Sequence, residues 1–207
     1  MEVMKAPKAR SARIQPFSPD QIKALHRASR QTRAPERDEA IFMVLLDCGI
    51  RASEVCQIKR RDIEMGERMI TVCGKGEKVR SVPFSPTTAR ALTLYINRER
   101  KQAEDYMFMG DRGRQASEPL TRSGLLQWAE RLGKQAHLAG VRCSPHTFCH
   151  TFAIEFLRAR GNVFTLKNLL GHERLDMTDR YLNVAETDAK AAHRLASPVM
   201  RMLDRVK

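Results

Sequence analysis

The stretch Leu-Leu-Gly-His-Glu-Arg-Leu-Asp-Met-Thr-Asp-Arg-Tyr, residues 169–181, puts a histidine and a tyrosine close enough to work on one bound group. His172 follows Gly171, which sits where a left-handed residue commonly ends a helix whose apolar end is Leu166, Leu169 and Leu170. Tyr181 falls in a second short helix expected to begin near Asp176, an acidic residue suited to a first turn. A histidine at one helix exit and a tyrosine on the next helix can face one cleft. Arg51 stands at the tight entrance to another helix, in Gly49-Ile50-Arg51-Ala52-Ser53-Glu54-Val55, where a guanidinium aimed outward beside backbone donors suits a phosphate. Lys75 lies between Gly74 and Gly76 at the tip of a hairpin. His146 and Cys149 share a face near the start of a helix, where the macrodipole and free N–H groups favour an anion. Taken singly, each has a plainer account as a packed tyrosine, a satisfied histidine or a solvated cation.

Two other chemistries fit poorly. Gly74-Lys75-Gly76 lacks the spacing and the following Ser or Thr of a nucleotide phosphate loop. His146, Cys149, His150 and His172 are zinc-ligand types, but a metalloprotease helix needs Glu directly after its first His, and Thr147 stands there. No metal and no cofactor is expected. The remaining thiols, Cys48, Cys56, Cys73 and Cys143, form no Cys-x-x-Cys pair and read as reduced, mostly core residues.

The elements that must position these groups can be read in order. Residues 1–16, with Lys5, Lys8, Arg10 and Arg13, form a basic linker or arm without apolar periodicity. Ser18-Pro19-Asp20-Gln21 caps a helix with Ile22 and Leu25 inward. A helix from about Glu36 carries Ile41, Val44, Leu45 and Cys48 on one face and ends at Gly49. Arg68–Cys73 and Val79–Phe84 alternate and make the hairpin. Ser85-Pro86 opens a helix to about Lys101, residues 105–120 read as loop, and Thr121 opens a helix with Leu125, Trp128, Leu132 and Ala136 as its core stripe. Ser144-Pro145 caps the helix of His146, anchored by Phe148, Phe152 and Phe156. Residues 189–203 form an amphipathic tail.

Length bounds the answer: 207 residues suffice for one well-buried domain with a short arm, not for two. Of the bulk properties, the charge is the informative one. A formal net charge of +13 points to a polyanion, and nucleic acid is the first candidate because neutralising phosphates releases counterions. The sequence has no membrane-length apolar run and its first residues lack a signal-peptide core, so a cytoplasmic protein without a membrane partner is expected.

Leu-Leu-Gly-His with Thr178 and Tyr181 at this spacing resembles the C-terminal signature of the tyrosine recombinases, the phage integrase family. Gly-Ile-Arg-Ala-Ser-Glu at 49–54 resembles that family's Gly-Leu-Arg-x-x-Glu, and Gly-Lys-Gly-Glu-Lys-Val-Arg-Ser-Val-Pro at 74–83 its hairpin. The resemblance spans roughly residues 17–203. It implies a mainly α fold with a small antiparallel sheet, the catalytic domain of a site-specific recombinase over 17–207, without the N-terminal core-binding domain. It further implies a DNA strand cut and rejoined through a 3′-phosphotyrosyl bond. In that scheme Tyr181 is the nucleophile, Arg51 and His172 hold the non-bridging oxygens, and His146 manages the phenol proton. Lys75 is the general acid, and Glu54 orients Arg51. Double-stranded DNA is the partner, bound by four protomers that are monomers in solution, in a cytoplasmic, nucleoid-associated setting.

One position departs from the pattern. The family's His-x-x-Arg is His146-Thr147-Phe148-Cys149 here, a weak neutral donor in place of a cationic fork. By analogy with single oxyanion-hole donors, the loss costs on the order of 10²–10³ in rate. Drift, replacement to trap a complex, or compensation by a nearby cation such as Arg142 would each account for it. A DNA-binding relative that no longer cleaves is the alternative. A type IB topoisomerase shares the chemistry but relaxes DNA without a partner site.

Overall fold

The computed structural model describes residues 15–74, 76–98, 105–110 and 118–185. The expected caps set the helices. Ser18 accepts from the Gln21 N–H while Gln21 Oε1 accepts from the Ser18 N–H, a reciprocal box that starts α1 (Pro19–Ser29). Pro35 opens α2 (Pro35–Cys48), and Gly49 ends it at φ +61°. A side chain at Gly49 would be strained by that backbone angle and would also collide with the Phe152 ring. The chain then turns at once into α3 (Ala52–Gln57) with Arg51 at its entrance.

A single 3₁₀ turn, Arg60–Asp62, leads to a three-stranded antiparallel sheet of β1 (Ile63–Glu64), β2 (Met69–Cys73) and β3 (Val79–Pro83), in that order. Met69 pairs with Pro83 and Cys73 with Val79. Ile70, Val72 and Val82 point into the core. Helix α4 (Pro86–Arg98) packs on α2, and α5 (Arg122–Gln135) on α1 and α3. The segment 105–110 is pinned by isolated bridges, Lys59 with Tyr106 and Met109 with Pro119.

The C-terminal part holds α6 (Pro145–Arg158), α7 (Val163–Leu170) and α8 (Asp176–Ala185). The expected Phe stripe on α6 is only partly a core anchor. Phe148 is fully buried among Phe17, Phe42 and Trp128, whereas Phe152 and Phe156 are half-buried. Eight residues of a 3.6-residue helix rotate the face by about 80°, so a strict i+4 series leaves the main core, and Phe152 and Phe156 pack only at the edge of the neighbouring cluster. Ala153, Ile154 and Leu157 take over, packing with Leu166, Leu170 and Tyr181 into a second, smaller core. Most of the expected arm (residues 1–14), the residues 99–104 into which the fourth long helix was expected to run, and the tail at 189–203 lie outside the described residues. Among the described residues no helix is long and apolar enough to cross a membrane.

Candidate active site

Where α3, the β2–β3 hairpin and the α7 exit meet, they enclose a cleft of about 1020 Å³. Its lining includes Arg51, Glu54, Lys78, Arg80, Gly171 and His172.

Glu54 is the hub. Its carboxylate is 2% exposed and accepts from the Arg51 N–H at 2.7 Å and from Arg51 Nη1 at 3.1 Å. Arg80, from the inward-facing register of β3, donates Nη1 and Nη2 to the same carboxylate at 2.8 and 2.9 Å. Burial works against the charged form, but the hydrogen bonds from Arg80 and the Arg51 backbone, with the two guanidinium charges, outweigh it and hold Glu54 below the usual carboxylate range. Both arginines reach on to the end of α7. Arg51 Nη2 donates to the Gly171 carbonyl at 2.8 Å and Arg80 Nε to the Leu169 carbonyl at 2.8 Å. These carbonyls belong to a helix terminus, where unpaired acceptors and the negative end of the dipole favour cations.

Gly171 is left-handed, at φ +62°, and His172 follows with Nδ1 2.9 Å from Thr178 Oγ1 on α8. Arg51 and His172 thus reach one cleft although 121 positions separate them in the chain. Lys78 and Glu173 pair at 3.0 Å on its exposed rim. Lys75 lies outside the described residues.

Tyr181 is placed differently from the expectation that it shares the cleft with His172. Its side chain is 1% exposed, inside the smaller core, and its hydroxyl lies 2.9 Å from His150 Nδ1. The reason is packing: Tyr181 stands on the α8 face turned toward α6, with Ala153, Ile154 and Leu157, whereas Met177, one turn earlier, lines the cleft. His146 is exposed on the first turn of α6, its ring centroid 6.5 Å from that of His150. Cys149 is half-buried and donates its thiol to the Gly49 carbonyl at 3.2 Å, tying α6 to the bend before Arg51. Arg142 is paired with Glu130 at 3.0 Å on the outside of α5, not with the Cys149 position.

Sequence reading missed Arg80 and His150 as site residues. The signal for Arg80 was its register, since it alternates inward with Val82 where an apolar residue would be ordinary. For His150 it was the i+4 spacing from His146, which fits a pair on one helix face as well as a zinc pattern.

The phage integrase family model matches residues 15–188, and the chain belongs to that family. It is 33% identical over 165 residues to the tyrosine recombinase XerC of Corynebacterium efficiens, covering 78% of this chain and 51% of that protein. It is 29% identical over 203 residues to the tyrosine recombinase XerA of Thermococcus kodakarensis, covering 98% and 70%. The crystal structure of XerA recombinase superposes with a TM-score of 0.71 at 26% identity, over 92% of this chain and 65% of that one. The Tn1549 transposon integrase in complex with transposon right end DNA shares the fold, with a TM-score of 0.73 at 21% identity over 91% and 66%. The mainly helical fold with its small antiparallel sheet is therefore that of the tyrosine recombinase catalytic domains. The chain spans about half the length of the XerC relative it matches.

Proposed function

We propose that residues 17–207 form the catalytic domain of a site-specific DNA recombinase that cuts and rejoins strands through a 3′-phosphotyrosyl bond on Tyr181. The observation that carries this reading is the meeting of Arg51 and His172 in one cleft, joined through the Arg51–Gly171 hydrogen bond of 2.8 Å. A positively charged cleft on a chain of net charge +13 fits double-stranded DNA. Assembly of four protomers on DNA, from monomers in solution, and a cytoplasmic, nucleoid-associated setting belong to the same reading.

In the reaction the Tyr181 oxygen attacks the scissile phosphorus, the 5′ oxygen leaves with a proton, and the ester keeps the bond energy for rejoining. A free phenol has a pKa of about 10, so its proton must be taken as the attack proceeds. His146 takes it and Lys75 supplies the proton to the leaving oxygen. Arg51 and His172 neutralise the non-bridging oxygens, and such fixed charges supply most of the acceleration. Glu54 holds Arg51 in place. Before attack, the Tyr181 hydroxyl has to leave His150 and come round to the cleft. With a thiol at Cys149, strand cleavage is slow and DNA binding is kept.

The test is a nicked duplex that traps the covalent step, read on a denaturing gel for the wild type, Tyr181→Phe and Cys149→Arg. A protein–DNA adduct in the wild type or Cys149→Arg, and none in Tyr181→Phe, supports the reading. DNA binding without an adduct in any of the three leaves a non-enzymatic DNA-binding relative, and no DNA binding overturns both.

A further inference from the structure

We propose that Arg80 is a positioning residue of this cleft: it holds the α7 exit that carries His172, and by sharing Glu54 it leaves the charge of Arg51 uncancelled for an incoming phosphate. The inference rests on the reading of the cleft as a DNA-phosphate site.

Four hydrogen bonds and one close approach carry it. Arg80 Nη1 and Nη2 grip both oxygens of Glu54, and Nε holds the Leu169 carbonyl, so three donors of one side chain fix two other elements. Arg51 holds the Gly171 carbonyl at the same helix end. The guanidinium of Arg80 lies directly against Gly171, where an added Cβ would stand 2.8 Å from Nη1 and 2.9 Å from Cζ. The missing side chain is what lets the group reach the turn before His172.

Charge gives the second half of the argument. The Arg80 side chain is 14% exposed and that of Glu54 is 2% exposed, so water screens neither well. Two guanidiniums against one carboxylate leave one net positive charge. With Arg80 removed, the whole Glu54 charge falls on Arg51, and a phosphate meets a neutral pair. Arg80 is also costly to keep at an inward strand position, where a charged group gains nothing in solubility. With Cys149 in place of a cation, this second guanidinium matters more.

The experiment measures binding of a fluorescent mixed-sequence duplex against salt, with thermal melting of each variant. Arg80→Gln is expected to bind about tenfold more weakly near ~0.1 M salt, the worth of one phosphate contact, with its salt slope smaller by about one. Arg80→Gln/Glu54→Gln should recover most of that affinity, because it restores the charge next to Arg51. A purely structural role predicts no such recovery. The exposed pair on α6 is the control: Arg158→Gln alone and with Glu155→Gln should change binding less than twofold. If Arg80→Gln does not fold, Arg80→Lys carries the test. It keeps the charge but cannot span all three acceptors, so affinity should stay within twofold while the His172 imidazole NMR signals move. A folded Arg80→Gln that binds as the wild type does overturns the proposal. So does a double variant no better than the single one, or an Arg80→Lys with unmoved His172 signals. A wild type that binds no duplex sinks the functional reading and this proposal together, whereas variants that fail to differ sink this proposal alone.

Discussion

The two walls of the cleft are built on different terms. The cationic wall is cross-braced: α3, β3 and the end of α7 are locked by Glu54, Arg51 and Arg80 through hydrogen bonds of 2.7–3.1 Å. The other wall is α8, a helix of 10 residues packed on α6, with Met177 on the cleft and the Tyr181 hydroxyl turned into the smaller core and paired with His150. Charge stabilisation works best when its dipoles are fixed before reaction. The nucleophile proposed above, Tyr181, has no such requirement and can be stored away from the site. The contrast teaches which parts of this molecule should tolerate movement and which should not.

Removing the oxygen of the proposed nucleophile gives the largest expected effect. Tyr181→Phe should abolish the covalent adduct altogether, while the lost hydrogen bond to His150 costs only about 1 kcal/mol in a denaturant melt. An adduct that survives in that variant would move the nucleophile elsewhere. Next comes Cys149→Arg, expected to raise adduct formation on the order of 10²–10³-fold. It must give up the thiol bond to Gly49, so a gel showing no gain would mean that the cationic wall does not extend to that position.

Breaking the brace should act on stability first. Glu54→Ala leaves two guanidiniums without their buried partner and should destabilise the fold by roughly 3 kcal/mol, read as a lower denaturant midpoint. Its acid dependence follows from the same contacts. Because the folded pKa of Glu54 lies below its ordinary 4.5, its contribution is fully present above that value. It is lost as pH falls through the folded pKa. Glu54→Gln should therefore flatten the acid limb of stability against pH, and an unchanged limb would remove Glu54 as its source. The smallest effect concerns the thiols. Burial pushes Cys56 up to about 11 and Cys143 up to about 12, and raises Cys48 further. In the folded protein a thiol reagent should modify the exposed Cys73 first and Cys149 next, and reach these three only on unfolding.

Much of the fold was legible from local rules. Ser18, Thr121 and Ser144 cap the helices that begin beside them, and Gly49 and Gly171 end theirs in the left-handed conformation. The two alternating segments marked the hairpin, and the structure adds its register, with Ile70, Val72 and Val82 inward. The extent of the Phe stripe did not follow, because helical drift sets which face meets the core and only the neighbours show where the core ends. At the site, residue types and spacing singled out Arg51 and His172, whose backbone settings are set locally by a helix entrance and a helix exit, and the family resemblance added Glu54.

The sequence by itself determined the chemical types available, the caps and turns that hold them, and the charge that calls for a polyanion. These depend on interactions within a few residues or on simple sums. Only the tertiary structure decided that Arg80 shares Glu54 with Arg51, that Cys149 bonds the Gly49 carbonyl, and that Tyr181 rests against His150. The Arg80–Glu54, Cys149–Gly49 and Tyr181–His150 contacts each join residues far apart in the chain, and which face of a helix meets which neighbour is settled by packing the whole core, not by any local pattern.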